Sequence, residues 1–526
     1  MRVGVYNRYW STGGGAEKYG GVIAEQLARH NEVDLLGHDG VDRDSLAARL
    51  QLDLAEVKIR ELDDSSGAVT RASRDYDLFV NVSYMSADRA ANPHSLYVVH
   101  FPTSPEGHLS RTQRFAVRHL GALRTSAVME MEWGTGFYHR DRAARGPFWT
   151  NGDATLRITT PPGRSRRVQL VFGYHRPPQL APTTARIEID GETAALVRLE
   201  RPRNRLRAHL GQPVQVDVCS RREGQQVELR IVSDTFVPAE LTGGADTRRL
   251  GVSLLGLRVG AGPITRLARW FPVLMAPPVS TSWLRSYGAI VANSRYTQQW
   301  IERYWDMDSE LLYPPVTMHP AGEKQPIILS VGRFFPPSDG HSKKQLELVR
   351  AFRDLCDQGL VGWTLHLVGG CSAAGEPYLA KVRELALGYP VEVHVNASGE
   401  ELRRLYGAAT IYWHAAGLGE NDERHPDRLE HFGISTVEAM SAGAVPVVIG
   451  LAGQRETVRH GVDGFHFRTL DGLVGLTQML LRDEGLRAAM STSAAARARS
   501  FAIDAFGVRL DALIDRVMTD GAATDD

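Results

Sequence analysis

The chain has 526 residues, 43% of them hydrophobic and 23% charged, and its 61 Lys and Arg balance 61 Asp and Glu. That length is too great for one hydrophobic core, the zero net charge gives no field favouring nucleic acid, and no apolar run approaches the roughly 20 residues that cross a bilayer. Cys219, Cys356 and Cys371 lie far apart without a CxxC pair, which argues against both a zinc site and a disulfide framework.

Met1 to Asn7 lacks the long apolar core and small-residue cleavage site of a signal peptide, so a cytoplasmic location is expected. Arg2 to Tyr6 predicts a strand that breaks at Gly13-Gly14-Gly15 and restarts as a helix from Ala16 to Ala28, the first unit of a doubly wound sheet. Further strands are expected at Val33 to Leu36, Leu78 to Val82 and Ser95 to Val99, the last running into His100-Phe101-Pro102, with a helix over Asp44 to Leu52. After Trp133 the texture changes to short alternating runs: Leu156 to Thr159, Val168 to Phe172, Ala185 to Ile189, Val214 to Val218 and Val227 to Val232. Separated by turn residues, these predict an all-β sandwich. Helical grammar resumes at Trp283, and Ala289 to Ala292 with Asn293-Ser294 predicts another strand and a capped helix. The sandwich therefore interrupts a Rossmann-like domain instead of following it.

Leu312-Tyr313-Pro314-Pro315-Val316 reads as a stiff connector, after which a second set of strands is expected at Ile327 to Val331, Leu365 to Gly370, Val391 to Val395, Ile411 to His414 and Val445 to Ile449. A last helix, Ile503 to Met518, carries Phe506, Val508, Leu510, Leu513, Ile514 and Val517 at helical spacing. The expected fold class is α/β, two Rossmann-like domains facing across a cleft with an all-β sandwich inserted in the first. The boundaries are 1–129 and 261–318 for the N-terminal domain, 130–260 for the insertion, 319–502 for the C-terminal domain and 503–526 for a helix packing back across the domains, with a tail.

The most informative stretch is Glu430-His431-Phe432-Gly433-Ile434-Ser435-Thr436-Val437-Glu438. If Gly433 turns the chain into a helix, the free N–H groups near Gly433 to Ser435 and the helix dipole favour a diphosphate at that end. Glu430 then lies in the loop beside a sugar, and Glu438, about one and a half turns in, reaches ribose hydroxyls. Arg333 follows a strand and Lys343 opens the next helix, so two fixed cations are expected to meet the same diphosphate from the side opposite the Glu430 loop. Gly14 and Gly15 let backbone approach a ligand closely. His100 lies just past a strand end, at the crevice where open α/β sheets bind ligands.

Glu-x-Phe-Gly at Glu430, Glu438-Ala439-Met440 and Gly443-x-x-Pro446-Val447 resemble the retaining glycosyltransferases of family 4, which have the GT-B fold. So do Gly13-Gly14-Gly15-Ala16-Glu17, Val99-His100-Phe101-Pro102, Ala292-Asn293-Ser294, Tyr313-Pro314-Pro315-Val316 and Val331-Gly332-Arg333-Phe334. Trp413-His414 followed by Glu430 to Ser435 also resembles the eukaryotic mannosyltransferases that extend dolichol-linked oligosaccharides. The resemblance does not cover the β segment. It implies retaining transfer of a hexose, with mannose from GDP-mannose favoured, to a glycan or lipid-linked glycan acceptor, without a metal or other cofactor. The donor's own phosphate would deprotonate the acceptor, so no protein nucleophile is required. The implied catalytic residues are Glu430, Arg333, Lys343 and His100. The implied donor-binding residues are Gly14, Gly15, Arg333, Lys343, Phe432, Gly433, Ile434, Ser435 and Glu438, with Lys343 chosen over Lys344 because it falls at the family's spacing.

Two departures from that pattern stand out: Ala452-Gly453 replaces the usual Gly-Gly, and Gly417 to Leu429 is unusually charged, reading as a solvated loop or a lid. Asp75-Tyr76-Asp77 has the Asp-x-Asp form of metal-dependent transferases but precedes its strand, and so reads as a turn. Arg111, Arg114 and Arg118, with Arg124 beyond, give a basic face suited to a peripheral contact with anionic headgroups on the inner face of a membrane, or to a solvated helix surface. Trp133, Phe137, Tyr138, Phe148, Trp149 and Phe172 would form the sandwich core more readily than a sugar-stacking platform. The competing functions are a nucleotide-sugar epimerase or hydrolase of the same fold and a carbohydrate-binding protein using the insertion.

Overall fold

The computed structural model describes residues 1–104, 131–138, 148–159, 166–200, 211–219, 226–242, 248–259, 283–336 and 342–522, apart from 13, 39, 64–66, 85, 87, 134 and 178. Gly13, Arg111, Arg114, Arg118 and Arg124 lie outside the described residues.

The N-terminal sheet contains β1 (Arg2–Tyr6), β2 (Glu32–Gly37), β3 (Val57–Glu61), β4 (Leu78–Asn81), β5 (Ser95–Val99), β15 (Ala289–Ala292) and β16 (Glu310–Leu311). The C-terminal sheet contains β17 (Gln325–Val331), β18 (Thr364–Gly369), β19 (Val391–Val395), β20 (Ala409–His414), β21 (Val445–Ile449) and β22 (Phe465–Phe467). Their orders are β16-β15-β5-β4-β1-β2-β3 and β19-β18-β17-β20-β21-β22. Each described pairing in them is parallel. The central strands β4, β5 and β21 are buried along their whole length, as strands covered on both faces must be. By contrast β3, the edge strand Val-Lys-Ile-Arg-Glu, was missed in the sequence because its charges hide the apolar signal.

β5 and β15 lie side by side, with Leu96 opposite Ala289 and Val99 opposite Ala292. The chain thus leaves the N-terminal sheet at His100 and returns beside the strand it left. Between them run β6 (Met131–Trp133), β7 (Phe148–Trp149), β8 (Asp153–Thr159), β9 (Arg166–Phe172), β10 (Thr183–Ile189), β11 (Glu192–Leu199), β12 (Gln212–Val218), β13 (Gln226–Val232) and β14 (Ser253–Val259). They form two antiparallel sheets, β11-β10-β13-β8-β6 and β12-β9-β14-β7. Inward residues of both, among them Leu156, Ile187 and Ile231 from one and Leu170, Phe172 and Val218 from the other, form one hydrophobic cluster. Phe137 and Phe172 belong to it, while Trp149 is only half-buried.

The last helix, Ile503–Ala522, returns to the N-terminal half. Phe506, Leu510, Leu513, Ile514 and Val517 join the cluster built on Val22, Ile23 and Leu27 of the Gly15–Ala28 helix. Phe506 meets the Tyr19 ring edge-on at 5.4 Å. Val508, expected on the same stripe, is 72% exposed, because a residue two positions from Phe506 falls on the opposite side of a helix. Among the described residues no helix is long and apolar enough to cross a membrane.

Phe506→Ala should lower stability by about 3–5 kcal/mol, the usual cost of deleting a buried phenyl ring. Denaturant unfolding checks this, and a loss below about 1 kcal/mol would mean that the helix is not part of the N-terminal core.

Candidate active site

In a parallel sheet every strand ends on the same side, and the helices that follow begin there with unpaired N–H groups. Here the two sets of ends meet. Gly14 caps the Gly15–Ala28 helix after β1, and Gly433 caps the Ile434–Ser441 helix after β20. A Cβ placed on Gly15 would lie 3.5 Å from the Ile434 side chain, so one helix start faces the other across the cleft. Gly433 has φ +99°, and a Cβ there would come within 2.4 Å of the buried Gln454 amide, so backbone conformation and packing both demand glycine. Glu17 is buried in the first helix start and accepts hydrogen bonds from the Gly14 N–H at 2.6 Å and the Asn7 amide at 3.3 Å.

Glu430 is the hub of the C-terminal side. Its Oε2 accepts from Lys343 Nζ at 2.5 Å and from His414 Nε2 at 3.0 Å. Lys343 and Glu430 retain 18% and 16% side-chain exposure, whereas His414, the last residue of β20, retains 2%. Burial pulls the His414 pKa down, so the ring is neutral and donates through Nε2, leaving Nδ1 buried without a partner among the described residues. The Lys343 stem packs on Gly332, where a Cβ would lie 2.5 Å from its Cγ. Lys343 lies against the Glu430 loop and not opposite it as expected, and it does not open the helix: that helix is Gln345–Asp357, and Lys344, in a left-handed conformation at φ +59°, is its N-cap. Lys344 turns the other way and binds Glu420 at 2.9 Å, with Arg428 at 3.5 Å from the same carboxylate. The charged loop is thus tied to the C-terminal half at Glu420 and anchored by buried Pro426 and Leu429, while Asp422 and Glu423 stay exposed. Arg333 stands exposed at the end of β17, its guanidinium 5.9 Å from the Phe335 ring centre.

Glu438 lies on the first turns of the Ile434–Ser441 helix and accepts from the Tyr406 hydroxyl at 2.8 Å. Burial pushes its carboxyl up to about 7, against the lowering effect of that hydrogen bond and of Lys18 on the opposite half. Ser435 accepts from the Tyr412 hydroxyl at 2.8 Å. Phe432 is buried against Tyr313 and Phe501, so only its backbone is available to a ligand. His100 lies at the end of β5 with Nε2 3.1 Å from the Val82 carbonyl and its ring edge-on to Tyr19 at 5.9 Å, and burial lowers its pKa.

Two contacts between the halves escaped the sequence reading. The Glu456 carboxylate accepts from the backbone N–H groups of Arg295 and Tyr296, at 2.9 and 2.8 Å, and from the Tyr313 hydroxyl at 3.0 Å. It thereby caps the Arg295–Trp305 helix across the junction. Phe101 stacks on His431 at 4.1 Å, with Tyr296 on the same His431 ring at 6.2 Å. Only the Phe101-Pro102 and Glu430-His431 motifs hinted at this stack. In the Ala452-Gly453 loop, a Cβ on Gly453 would lie 2.0 Å from the His431 carbonyl, so glycine is obligatory there. Ala452 instead sits at φ +48°, at a cost of roughly 1 kcal/mol for a residue with a Cβ.

Asp75-Tyr76-Asp77 precedes β4, at the opposite edge from the cleft, with Asp75 bound by Arg60 at 2.8 Å and Asp77 accepting from the Arg2 N–H at 2.7 Å. The described group with spacing suited to a metal is instead His366, Glu392 and His394. A cavity of about 230 Å³, lined by Trp149, Tyr174 and Arg176 among others, lies in the β region, away from the cleft.

This pair of facing parallel sheets, with a helix start on each side of the cleft, defines the GT-B class of fold. Residues 318–497 match the family described as glycosyl transferases group 1, about a third of the chain, and form a domain of that group. Across 98% of this chain and 100% of the other, the structure resembles Anabaena HepE in complex with UDP and glucose, with TM-score 0.51 and 12% identity. Sucrose-phosphate synthase from Thermosynechococcus elongatus gives TM-score 0.50 at 14% identity over 99% and 100% of the two chains. At such identities the likeness establishes the fold alone. Among curated sequences, the GDP-Man:Man(3)GlcNAc(2)-PP-Dol alpha-1,2-mannosyltransferase of Xenopus laevis is 31% identical over 175 residues, 30% of this chain and 32% of that protein. The Dictyostelium discoideum enzyme of the same name is 28% identical over 202 residues, 34% of this chain and 38% of that protein. The matches span about a third of the length of these relatives.

Because the folded Glu438 pKa lies above the ordinary 4.5, folding takes up a proton between the two values. The stability this gives is complete below 4.5 and is lost as pH rises through about 7. Glu438→Gln should therefore flatten the fall in stability between about pH 5 and about pH 8 measured by urea unfolding at several pH values. Parallel pH profiles for the two proteins would contradict the assignment.

Proposed function

We propose that the protein is a retaining glycosyltransferase that moves a hexose, mannose in the favoured case, from a nucleoside diphosphate carrier to a glycan or lipid-linked glycan acceptor without a metal. The observation that carries this reading is the Lys343–Glu430–His414 cluster beside the Gly433 helix start, opposite the Gly14 helix start. The N–H groups of the Ile434–Ser441 helix, with Arg333 and Lys343, would neutralise the diphosphate as it leaves. Glu430, positioned by two donors on one oxygen, would accept hydrogen bonds from sugar hydroxyls, and Glu438 would receive the ribose. Because both relatives use GDP-mannose by name, GDP-mannose is the donor to test first.

In the proposed reaction the bond from the anomeric carbon to the diphosphate breaks, and a bond to the acceptor oxygen forms on the same face. The acceptor proton passes to the departing phosphate oxygen. His100, at the end of β5, would line the transferring centre from the N-terminal side. The two antiparallel sheets would form an inserted sandwich that steers the acceptor and leaves donor binding to the parallel sheets. A cytoplasmic enzyme held at the inner membrane face fits a lipid-linked acceptor. The epimerase, hydrolase and carbohydrate-binding readings are weaker because none requires Arg333, Lys343, Glu430 and Glu438 together.

Glu430→Gln should lower turnover by about two orders of magnitude or more, the cost of one preorganised polar contact at a transition state, with folding intact. A variant that transfers mannose from GDP-mannose at the parental rate would remove Glu430 from the mechanism. Activity should also persist in excess EDTA. A rate abolished by chelation and restored by manganese or magnesium would require a metal at the diphosphate.

A further inference from the structure

The face of the C-terminal sheet beneath the Gly399–Ala408 helix carries a cluster that the proposed transfer reaction does not use. His366 on β18 and Glu392 and His394 on the edge strand β19 project from the same face, since residues two apart on a strand share a side. His366 Nδ1 lies 3.0 Å from His394 Nε2, and the Glu392 carboxylate is 3.6 Å from the first and 3.5 Å from the second. A tetrahedral ion with bonds of about 2.1 Å holds its ligand atoms about 3.4 Å apart, so the three atoms already have the spacing of three corners of such a shell. The outer nitrogens are also held. His394 Nδ1 lies 2.7 Å from the Glu401 carboxylate, and His366 Nε2 lies 3.1 Å from the Thr364 hydroxyl. Metal-binding histidines are characteristically oriented in this way, by a carboxylate or other polar group on the far nitrogen.

We propose that His366, Glu392 and His394 bind one divalent cation of the zinc class, which ties the edge strand β19 to β18 and, through Glu401, to the Gly399–Ala408 helix. The ligand set of two imidazoles and one carboxylate suits zinc or cobalt better than magnesium or calcium, which prefer oxygen throughout. The proton balance is simple. Without metal, His394 Nδ1–H donates to Glu401, His366 Nδ1–H donates to His394 Nε2, and the Thr364 hydroxyl donates to His366 Nε2. On binding, the His366 proton moves to Nε2 and is donated to Thr364, so no net proton is released. Glu392 and Glu401 offset the charge of the ion, and Arg404 is the nearby cation that opposes it. Glu392 is 57% exposed, so the fourth position faces solvent.

The site is independent of the glycosyltransferase reading, and its test uses no activity assay. Chelator-stripped, full-length protein is titrated calorimetrically with zinc, and with cobalt as a spectroscopic probe. One equivalent should bind, the cobalt spectrum should lack a thiolate charge-transfer band, and zinc should raise the melting temperature. Glu401→Gln should weaken binding about 10–100-fold. The double variant His366→Ala with His394→Ala should lose binding and the thermal shift. Should the double variant fail to fold, Glu392→Gln, a change at an exposed side chain, gives the same test and should weaken binding at least about tenfold. Failure of the parent protein to bind zinc, undiminished binding in these variants, or a thiolate band placing the ion on a cysteine would overturn the proposal.

Discussion

The site depends on a constraint of parallel sheets: strand ends and helix starts fall on one side, so the unpaired N–H groups of several helices collect there. Placing two such sheets with these sides facing brings the Gly14 and Gly433 helix starts together without any special folding of the intervening loops. Polar residues at the cleft then answer that concentration of partial positive charge. Glu17 satisfies one helix start from within the chain. On the other side Glu430 sits between Lys343 and His414, so a carboxylate is held by two donors beside the Gly433 helix start.

The facing arrangement needs its own support, which comes from groups at the junction. Glu456 caps the Arg295–Trp305 helix of the other half, adding two acceptors to the cap that Ser294 already supplies from the helix's own sequence. Phe101, His431 and Tyr296 stack beside it, so the motif that carries Glu430 also carries a packing residue of the junction. Glu430 of the site and His431 of the junction are thus consecutive residues of one loop.

The central strands were legible in the sequence because burial on both faces leaves uninterrupted apolar runs, as in Val445 to Ile449. Of the antiparallel strands, β8, β9, β10, β12 and β13 were legible by alternation, while β6, β7, β11 and β14 were not. The edge strand Val57–Glu61 was not, since its charged residues meet solvent, although the edge strand Val391–Val395 was. Gly433 and Glu438 could be placed by helix-start logic, and the Glu430 loop by its neighbours. The long-range partners could not. Lys343 and Glu430 are 87 residues apart, and Glu456 and Arg295 are 161 apart, with no local pattern that announces either pair. The histidine cluster was not legible for a related reason: its residues come from two strands, 26 positions apart at the paired His366 and Glu392, so no compact motif of metal spacing exists.

The path of the chain through the N-terminal sheet has a consequence for the order of assembly. β5 cannot acquire its neighbour β15 until the whole intervening β region has been made, and Tyr19 cannot reach the Leu312 carbonyl across 293 residues any sooner. Closing such loops is entropically costly and slow. The Ile503–Ala522 helix, which covers the first helix, emerges later still. The half made first is thus the half completed last: Tyr19 waits for its Phe506 partner while the C-terminal sheet, built from strands close in sequence, can already close. Until that last helix is made, the N-terminal half lacks part of its apolar cover, the kind of surface on which chaperones act.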